Sequence, residues 1–147
     1  MPRSSLDTLS MRERSQRMAL VRSRDTKPEL CVRHLAHELG FRFRLHRRDL
    51  PGSPDLVFPR HRKIIVVHGC FWHRHPGCTR ARFPKSPERA HFWHAKFRKN
   101  VERDQRARRE LLKLGWDVLV IWECQTSVRP RLERILLKFL NRVQRRS

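Results

Sequence analysis

The alternation of apolar and polar positions divides the chain into short, distinct elements. Val32, Leu35, Ala36 and Leu39 recur at i, i+3, i+4 and i+7, which predicts one amphipathic helix, and Gly40 is placed to end it. Thr26-Lys27-Pro28-Glu29 just upstream has the form of a capping box, with a hydroxyl at the cap and a carboxylate one turn on. Phe41, Phe43 and Leu45 alternate with Arg and predict a half-exposed strand. The segment from Asp49 to Pro54 is a turn cluster, and Asp55 to Phe58 reads as a strand. Pro59 to Arg62 is a turn, and Lys63 to Val67 a buried β-branched strand. Ser86-Pro87-Glu88 has the cap and proline of a helix start, and that helix runs to about Leu114, where Gly115 stops it. Asp117 to Trp122 is another buried strand. Pro130 to Val143 closes the chain as an amphipathic helix through Leu132, Ile135, Leu136, Phe139 and Leu140. This order predicts an α/β domain, a mixed sheet flanked by helices, over residues 26–147. Residues 1–25 are polar and Arg-rich, with a weak helical pattern through Met11, Met18 and Val21. They read as a basic arm that becomes ordered on a partner.

Charge narrows the partner. Lys and Arg number 35 against 14 Asp and Glu, a formal net charge of +21, and a chain so self-repelling calls for a polyanion. Of the basic residues 28 are Arg, the side chain suited to bidentate phosphate and guanine contacts, although a GC-rich genome gives the same bias. An acidic membrane surface is the alternative polyanion. No apolar run approaches a membrane span, and the amino terminus lacks a hydrophobic signal core, so a cytoplasmic protein is expected. Disorder fits poorly, because 38% apolar content with 12 Phe and Trp can build a core in 147 residues.

The chemistry crowds into the middle of the chain. Cys70-Phe-Trp-His-Arg-His75-Pro-Gly-Cys78 carries the spacing C-x4-H-x2-C, which lets three ligands converge from one loop, and Cys124 at the end of a strand is the natural fourth. Three cysteines and one histidine suit a tetrahedral, closed, structural zinc site. His73 competes with His75 as the histidine ligand, and free core cysteines are the plain alternative. Cys31, inside the first helix, reads as a small core residue.

Asp55 follows a proline and opens a strand, and a second strand ends at His68. A carboxylate there can hold a hard cation such as Mg²⁺ against a phosphate oxygen, or can simply cap a turn. His68 and His73 flank the cysteine loop without being needed by a metal, and can move a proton near neutral pH, support a ligand or touch a phosphate. The capping box accounts for Glu29 without any chemistry.

Four strings then come together: Leu50-Pro51-Gly52-x-Pro54-Asp55, His68-Gly69-Cys70-Phe71-Trp72-His73, Lys99-Asn100-Val101-Glu102-Arg103-Asp104 and Ile121-Trp122-Glu123-Cys124. In this order they resemble the very short patch repair endonucleases, DNA mismatch nickases of the restriction-endonuclease-like superfamily. The resemblance runs from about Arg14 to the last helix. It implies nicking of one strand of duplex DNA 5′ to the thymine of a T·G mismatch, the lesion left by deamination of 5-methylcytosine, with Mg²⁺ as the catalytic cofactor and Zn²⁺ as the structural one.

By position, Asp55 matches the family's metal-binding aspartate, and Val67 stands where a backbone carbonyl meets the metal. His68 and His73 match active-site histidines, and Glu29 a glutamate that supports them. Cys70, His75, Cys78 and Cys124 match zinc ligands. Phe71, Trp72 and Trp93 match aromatics that wedge into the base stack, where a mismatch is cheapest to unstack. Lys96 and Asn100, at i and i+4 near Trp93, match readers of the wobble pair, and Met18 matches a minor-groove contact from the arm. The chain departs from the family pattern at Val67, usually threonine, at Val66, usually phenylalanine, and in a longer stretch between His75 and Cys78. The resemblance further implies a monomer that acts on DNA in the bacterial cytoplasm beside a cytosine methyltransferase and repair machinery. Two readings compete with the mismatch nickase. One is a zinc-stabilised nucleic-acid-binding protein without activity; the other is a related nuclease with a different target.

Overall fold

A computed structural model describes residues 25–82 and 87–142. The first helix, α1 (Lys27–Glu38), is followed by β1 (Arg44–Leu45), β2 (Leu56–Phe58), β3 (Lys63–His68), α2 (Pro87–Lys113), β4 (Asp117–Trp122) and α3 (Arg129–Leu140). The strands form one four-stranded sheet in the order β1-β2-β3-β4. β1 pairs antiparallel with β2 and β2 with β3, the latter across a tight turn. β3 and β4 run parallel, Val67 opposite Ile121 and His68 opposite Trp122, and α2 is the crossover that parallel pairing requires. The expected mixed sheet flanked by helices is the observed one.

The sheet is buried on both faces, which is why β2 and β3 read as continuous apolar runs rather than alternating ones. Ile65, Val67 and Ile121 face α1 and α3, where Val32, Leu35, Leu136 and Leu140 meet them. Val57 and Ile64 face Leu111 at the end of α2 and Trp116 beyond it. Each such aliphatic side chain taken out of water contributes about 1.5–3 kcal/mol. Lys63, on the α3 side of β3, is only 1% exposed. Its ammonium donates to the carbonyls of Phe139 at 2.5 Å and Leu140 at 3.4 Å, and to that of Arg142. A cation placed on the unpaired carbonyls at a helix C-terminus fixes α3 to the sheet.

Two local expectations are corrected. The strand read from Phe41 to Leu45 shrinks to Arg44–Leu45, because its partner β2 has three residues and His46 turns into the left-handed region at φ +47. Phe41 and Phe43 pack at the margin of the core instead. The helix starts after Thr26 as the capping box predicts, but the Thr26 side chain makes no capping bond, and Glu29 accepts the Asp25 N–H at 2.9 Å rather than that of Thr26. Residues 1–24, with Met18, and the helix-start Ser86 lie outside the described residues. No helix among the described residues is long and apolar enough to cross a membrane.

Candidate active site and metal centre

Topology gathers the chemistry at one end of the sheet. Because β2 runs against β3, the start of β2 lies beside the end of β3, and the end of β4 lies next to it. Asp55 precedes β2, His68 ends β3, and Trp122 to Cys124 end β4 and follow it. A cleft of about 700 Å³ opens there, lined by Glu29, Asp55, His68, Trp72, His73 and Asp104 among others. Gly52 and Ser53 line it too, and Gly52 sits at φ +75 with the position of a Cβ only 2.7 Å from Ala107 Cβ. Only glycine fits that approach to α2.

Asp55 Oδ2 accepts the Val67 N–H at 2.7 Å, which anchors the carboxyl at the mouth of β3. Burial, followed by the charge of the neighbouring Glu29, outweighs that hydrogen bond and pushes the Asp55 carboxyl up from 3.8 to about 7. Two carboxyls crowded into a poorly solvated cleft are a site that a divalent cation would relieve, so the donor set fits a hard metal. Glu29 is itself only 7% exposed.

The histidines form a second unit. His73 Nδ1 lies 2.5 Å from Asp104 Oδ2, and the His73 ring stacks on His68 with centroids 4.0 Å apart and planes 8° apart. His68 is pushed down to about 4, by burial first and then by the charge of His73, so its ring is neutral near pH 7. Parity explains the meeting. His68 lies on the same side of β3 as Ile64 and Val66, the face that α2 covers, and Asp104 comes from α2. The hydrogen-bonded partner of His73 is therefore Asp104, while Glu29 lies beside Asp55. In the sequence Asp104 stands within a motif but has no role assigned to it. Its signal was the i, i+4 spacing from Asn100.

Behind the histidines, Cys70, His75, Cys78 and Cys124 place their ligand atoms within 4.8 Å of one another. His75 Nδ1 is 3.6 Å from Cys70 Sγ and 3.5 Å from Cys124 Sγ. The loop achieves this with turns at Arg74 (φ +54) and Gly77 (φ +68), and the His75 N–H donates to the Cys70 carbonyl at 3.0 Å. Burial pushes the Cys70 thiol up to about 12, whereas the Arg80 backbone N–H draws the Cys78 thiol down. Three thiols and an imidazole at these distances fit a soft divalent ion that deprotonates its ligands. His73 is not in this group, so His75 is the histidine the geometry selects. Trp122 stacks on His75 at 4.3 Å and meets His68 edge-on at 5.3 Å, a wall shared by both units. Glu123 Oε1 accepts the Cys70 N–H at 3.3 Å. Trp122 and Glu123 carry no signal in the sequence beyond their place in the Cys124 motif.

Phe71, Trp72, Trp93 and Phe97 form one aromatic cluster on the cleft rim, with ring centroids 5.0–6.4 Å apart. Trp93 is 4% exposed and stacks on Phe97, while Phe71 and Trp72 remain half-buried. Lys96 Nζ lies 5.8 Å from the Trp72 ring centre. Asn100 is 4% exposed and donates to the Trp72 carbonyl at 3.2 Å, holding the aromatic loop against α2.

The acids and histidines gathered at the end of this mixed sheet define a site suited to hydrolytic chemistry. Comparison with known proteins makes that specific. A family profile described as DNA mismatch endonuclease Vsr matches residues 6–80. The chain is 48% identical over 135 residues to the type II nicking enzyme V.XorIIP of Xanthomonas oryzae, covering 92% of this chain and 97% of that one. It is 42% identical over 119 residues to the DNA mismatch endonuclease Vsr of Escherichia coli, covering 81% of this chain and 74% of that one. A third relative, the type II nicking enzyme V.NmeAIP of Neisseria meningitidis, is 37% identical over 134 residues, with 88% and 94% covered. The chain belongs to the Vsr family of DNA mismatch endonucleases.

Proposed function

We propose that this protein nicks one strand of duplex DNA 5′ to the thymine of a T·G mismatch by Mg²⁺-dependent hydrolysis. The observation that carries the reading is the His73–Asp104 pair facing Asp55 and Glu29 across one cleft. Asp104 accepts the Nδ1 proton, which leaves Nε2 of His73 free to take a proton from water. His68, neutral and stacked beneath, orients the His73 ring and offers its own nitrogen to the phosphate. Asp55 and the Val67 carbonyl would hold Mg²⁺, with Glu29 beside them. Bound there, the ion supplies Lewis-acid charge at the scissile phosphate. Zn²⁺ on Cys70, His75, Cys78 and Cys124 would keep the loop carrying His73 rigid rather than act on substrate.

Recognition rests on the rim. Phe71 and Trp72 are the wedge, Trp93 backs them from the core, Lys96 reaches toward the base edges, and Asn100 fixes the loop from which the wedge projects. Met18 of the basic arm would reach the minor groove from the other side. Relatives named as nicking enzymes support cleavage of a single strand. A monomer in the cytoplasm, working beside a cytosine methyltransferase, completes the reading.

The test is a nicking assay with zinc-loaded protein and Mg²⁺ on T·A and T·G duplexes in several sequence contexts. A nick confined to T·G and lost in Asp55→Ala, with DNA binding kept, is expected. Equal cutting of both duplexes would remove the mismatch specificity. Binding without cutting in every context would leave a zinc-stabilised binding module, in which the His73–Asp104 pair has no task.

A further inference from the structure

Arg33 stands one helical turn after Glu29 on α1, with its side chain 11% exposed. NH1 lies 2.7 Å from Asp25 Oδ1, and NH2 meets Glu29 Oε2 at 3.2 Å and His46 Nε2 at 2.8 Å. A guanidinium keeps its protons, so Arg33 donates and His46 Nε2 accepts. The backbone N–H of the same His46 donates to the Asp55 carbonyl at 3.3 Å. One side chain thus joins the acid on α1 to the segment that carries the other acid.

The arrangement is not one that stability alone would favour. Asp25 and His46 both sit in the left-handed region, at φ +63 and +47, and the Arg33 Nε is buried with no hydrogen-bond partner among the described residues. Strain and an unmatched polar group at one place mark a constraint other than packing. The guanidinium attracts the carboxylates around it, yet a fixed cation beside Glu29 and Asp55 weakens, by Coulomb repulsion, the binding of any other cation there.

We propose that Arg33, braced by His46, is a positioning residue that sets the Glu29 carboxylate opposite Asp55, so that the pair is ready for a divalent cation before DNA binds. The inference rests on Asp55 and Glu29 forming the cation site of the nuclease. It makes a prediction opposite in sign to simple charge. Arg33→Lys keeps the charge but loses the planar fork, and Arg33→Met removes the charge altogether. Positioning requires both to bind the cation more weakly, whereas charge alone leaves the first unchanged and tightens the second.

The experiment uses the full, zinc-loaded chain and Mn²⁺ as the probe, with free Mn²⁺ read by electron paramagnetic resonance and thermal melts run beside it. Both Arg33 variants are expected to bind Mn²⁺ about tenfold or more weakly, the range seen when residues supporting metal ligands are lost. His46→Gln, which keeps an acceptor, should stay near wild type, and His46→Leu should weaken. In nicking, the Mg²⁺ needed for half-maximal rate should rise in parallel while DNA affinity without metal is unchanged. Folded Arg33→Lys that binds Mn²⁺ as wild type does would overturn the proposal. So would two unfolded Arg33 variants together with a folded His46→Leu of wild-type affinity. If instead wild type binds no Mn²⁺, or Asp55→Ala binds it equally well, the cation site itself is wrong and the proposal falls with it. Mn²⁺ binding lost in Asp55→Ala but kept in Arg33→Lys marks failure of Arg33 alone, and wild-type nicking tests the nuclease reading separately.

Discussion

Asp55→Asn should make the metal-free protein more stable while abolishing nicking. The Asp55 carboxyl is held up at about 7 by burial and the Glu29 charge, against an ordinary 3.8. An acid raised in the folded state stabilises fully below its unfolded value, and that contribution is lost as the pH rises through the folded value. The window is therefore from about pH 4 to about pH 7. The full difference would correspond to about 4 kcal/mol, and water entering the open cleft reduces it to about 1–2 kcal/mol. The amide introduced by the substitution keeps an oxygen for the Val67 N–H and turns an NH2 donor toward Glu29, so no hydrogen bond is lost in exchange. For a domain of this size the gain is about 3–8 °C in Tm. The assay is a series of thermal melts of zinc-loaded protein in buffer free of added Mg²⁺, from pH 5 to 8.5, wild type against variant. The two curves should approach each other at the acid end and separate toward pH 8. Mg²⁺ should then raise the wild-type Tm and leave the variant's unchanged. A variant as stable as wild type, or less stable, at every pH would refute the view that Asp55 is a strained acid awaiting a cation.

Three further outcomes follow from the same geometry. Asp104→Asn would present an amide donor to His73 Nδ1 and force the proton onto Nε2, lowering the nicking rate by about 10²–10⁴-fold with DNA affinity kept; single-turnover rates check it, and a drop below tenfold would remove Asp104 from the proton path. Cys124→Ser should weaken zinc binding by more than about 100-fold, beyond the loss typical of a residue that only supports a ligand, and lower the Tm; competition with a chromogenic chelator measures it, and undiminished zinc affinity would discard Cys124 as a ligand. Lys63→Met leaves the carbonyls at the end of α3 without their ammonium and should cost about 2–3 kcal/mol in urea unfolding with nicking retained at 25 °C; a loss under about 1 kcal/mol would mean that water replaces the lysine.

Much of the architecture was legible because it is local. Gly40 and Gly115 follow helices that start where the sequence marks them, at Lys27 and Pro87, and β4 falls on the residues its apolar run marks. The strands shifted only at their edges. β1 lost Phe41 and Phe43 because pairing length is set by a partner strand, which no single segment encodes. The same limit governs the site. Spacing within the loop put Cys70, His75 and Cys78 together, and the motifs named Asp55, His68 and His73. What the sequence left open was who faces whom. Glu29 read as a helix cap and, by resemblance, as a support for the histidines; its pairing with Arg33 is local at i, i+4, and tertiary packing sets it beside Asp55. Asp104 had no evident task until the crossover helix set it against His73. Asn100, expected among base readers, is buried under Trp72. Periodicity fixes which face of an element is apolar, because that depends on the chain's own geometry. Hydrogen-bond partners between α1, the β2 start and α2 depend on how three separately legible elements converge, and only the assembled sheet brings them within reach.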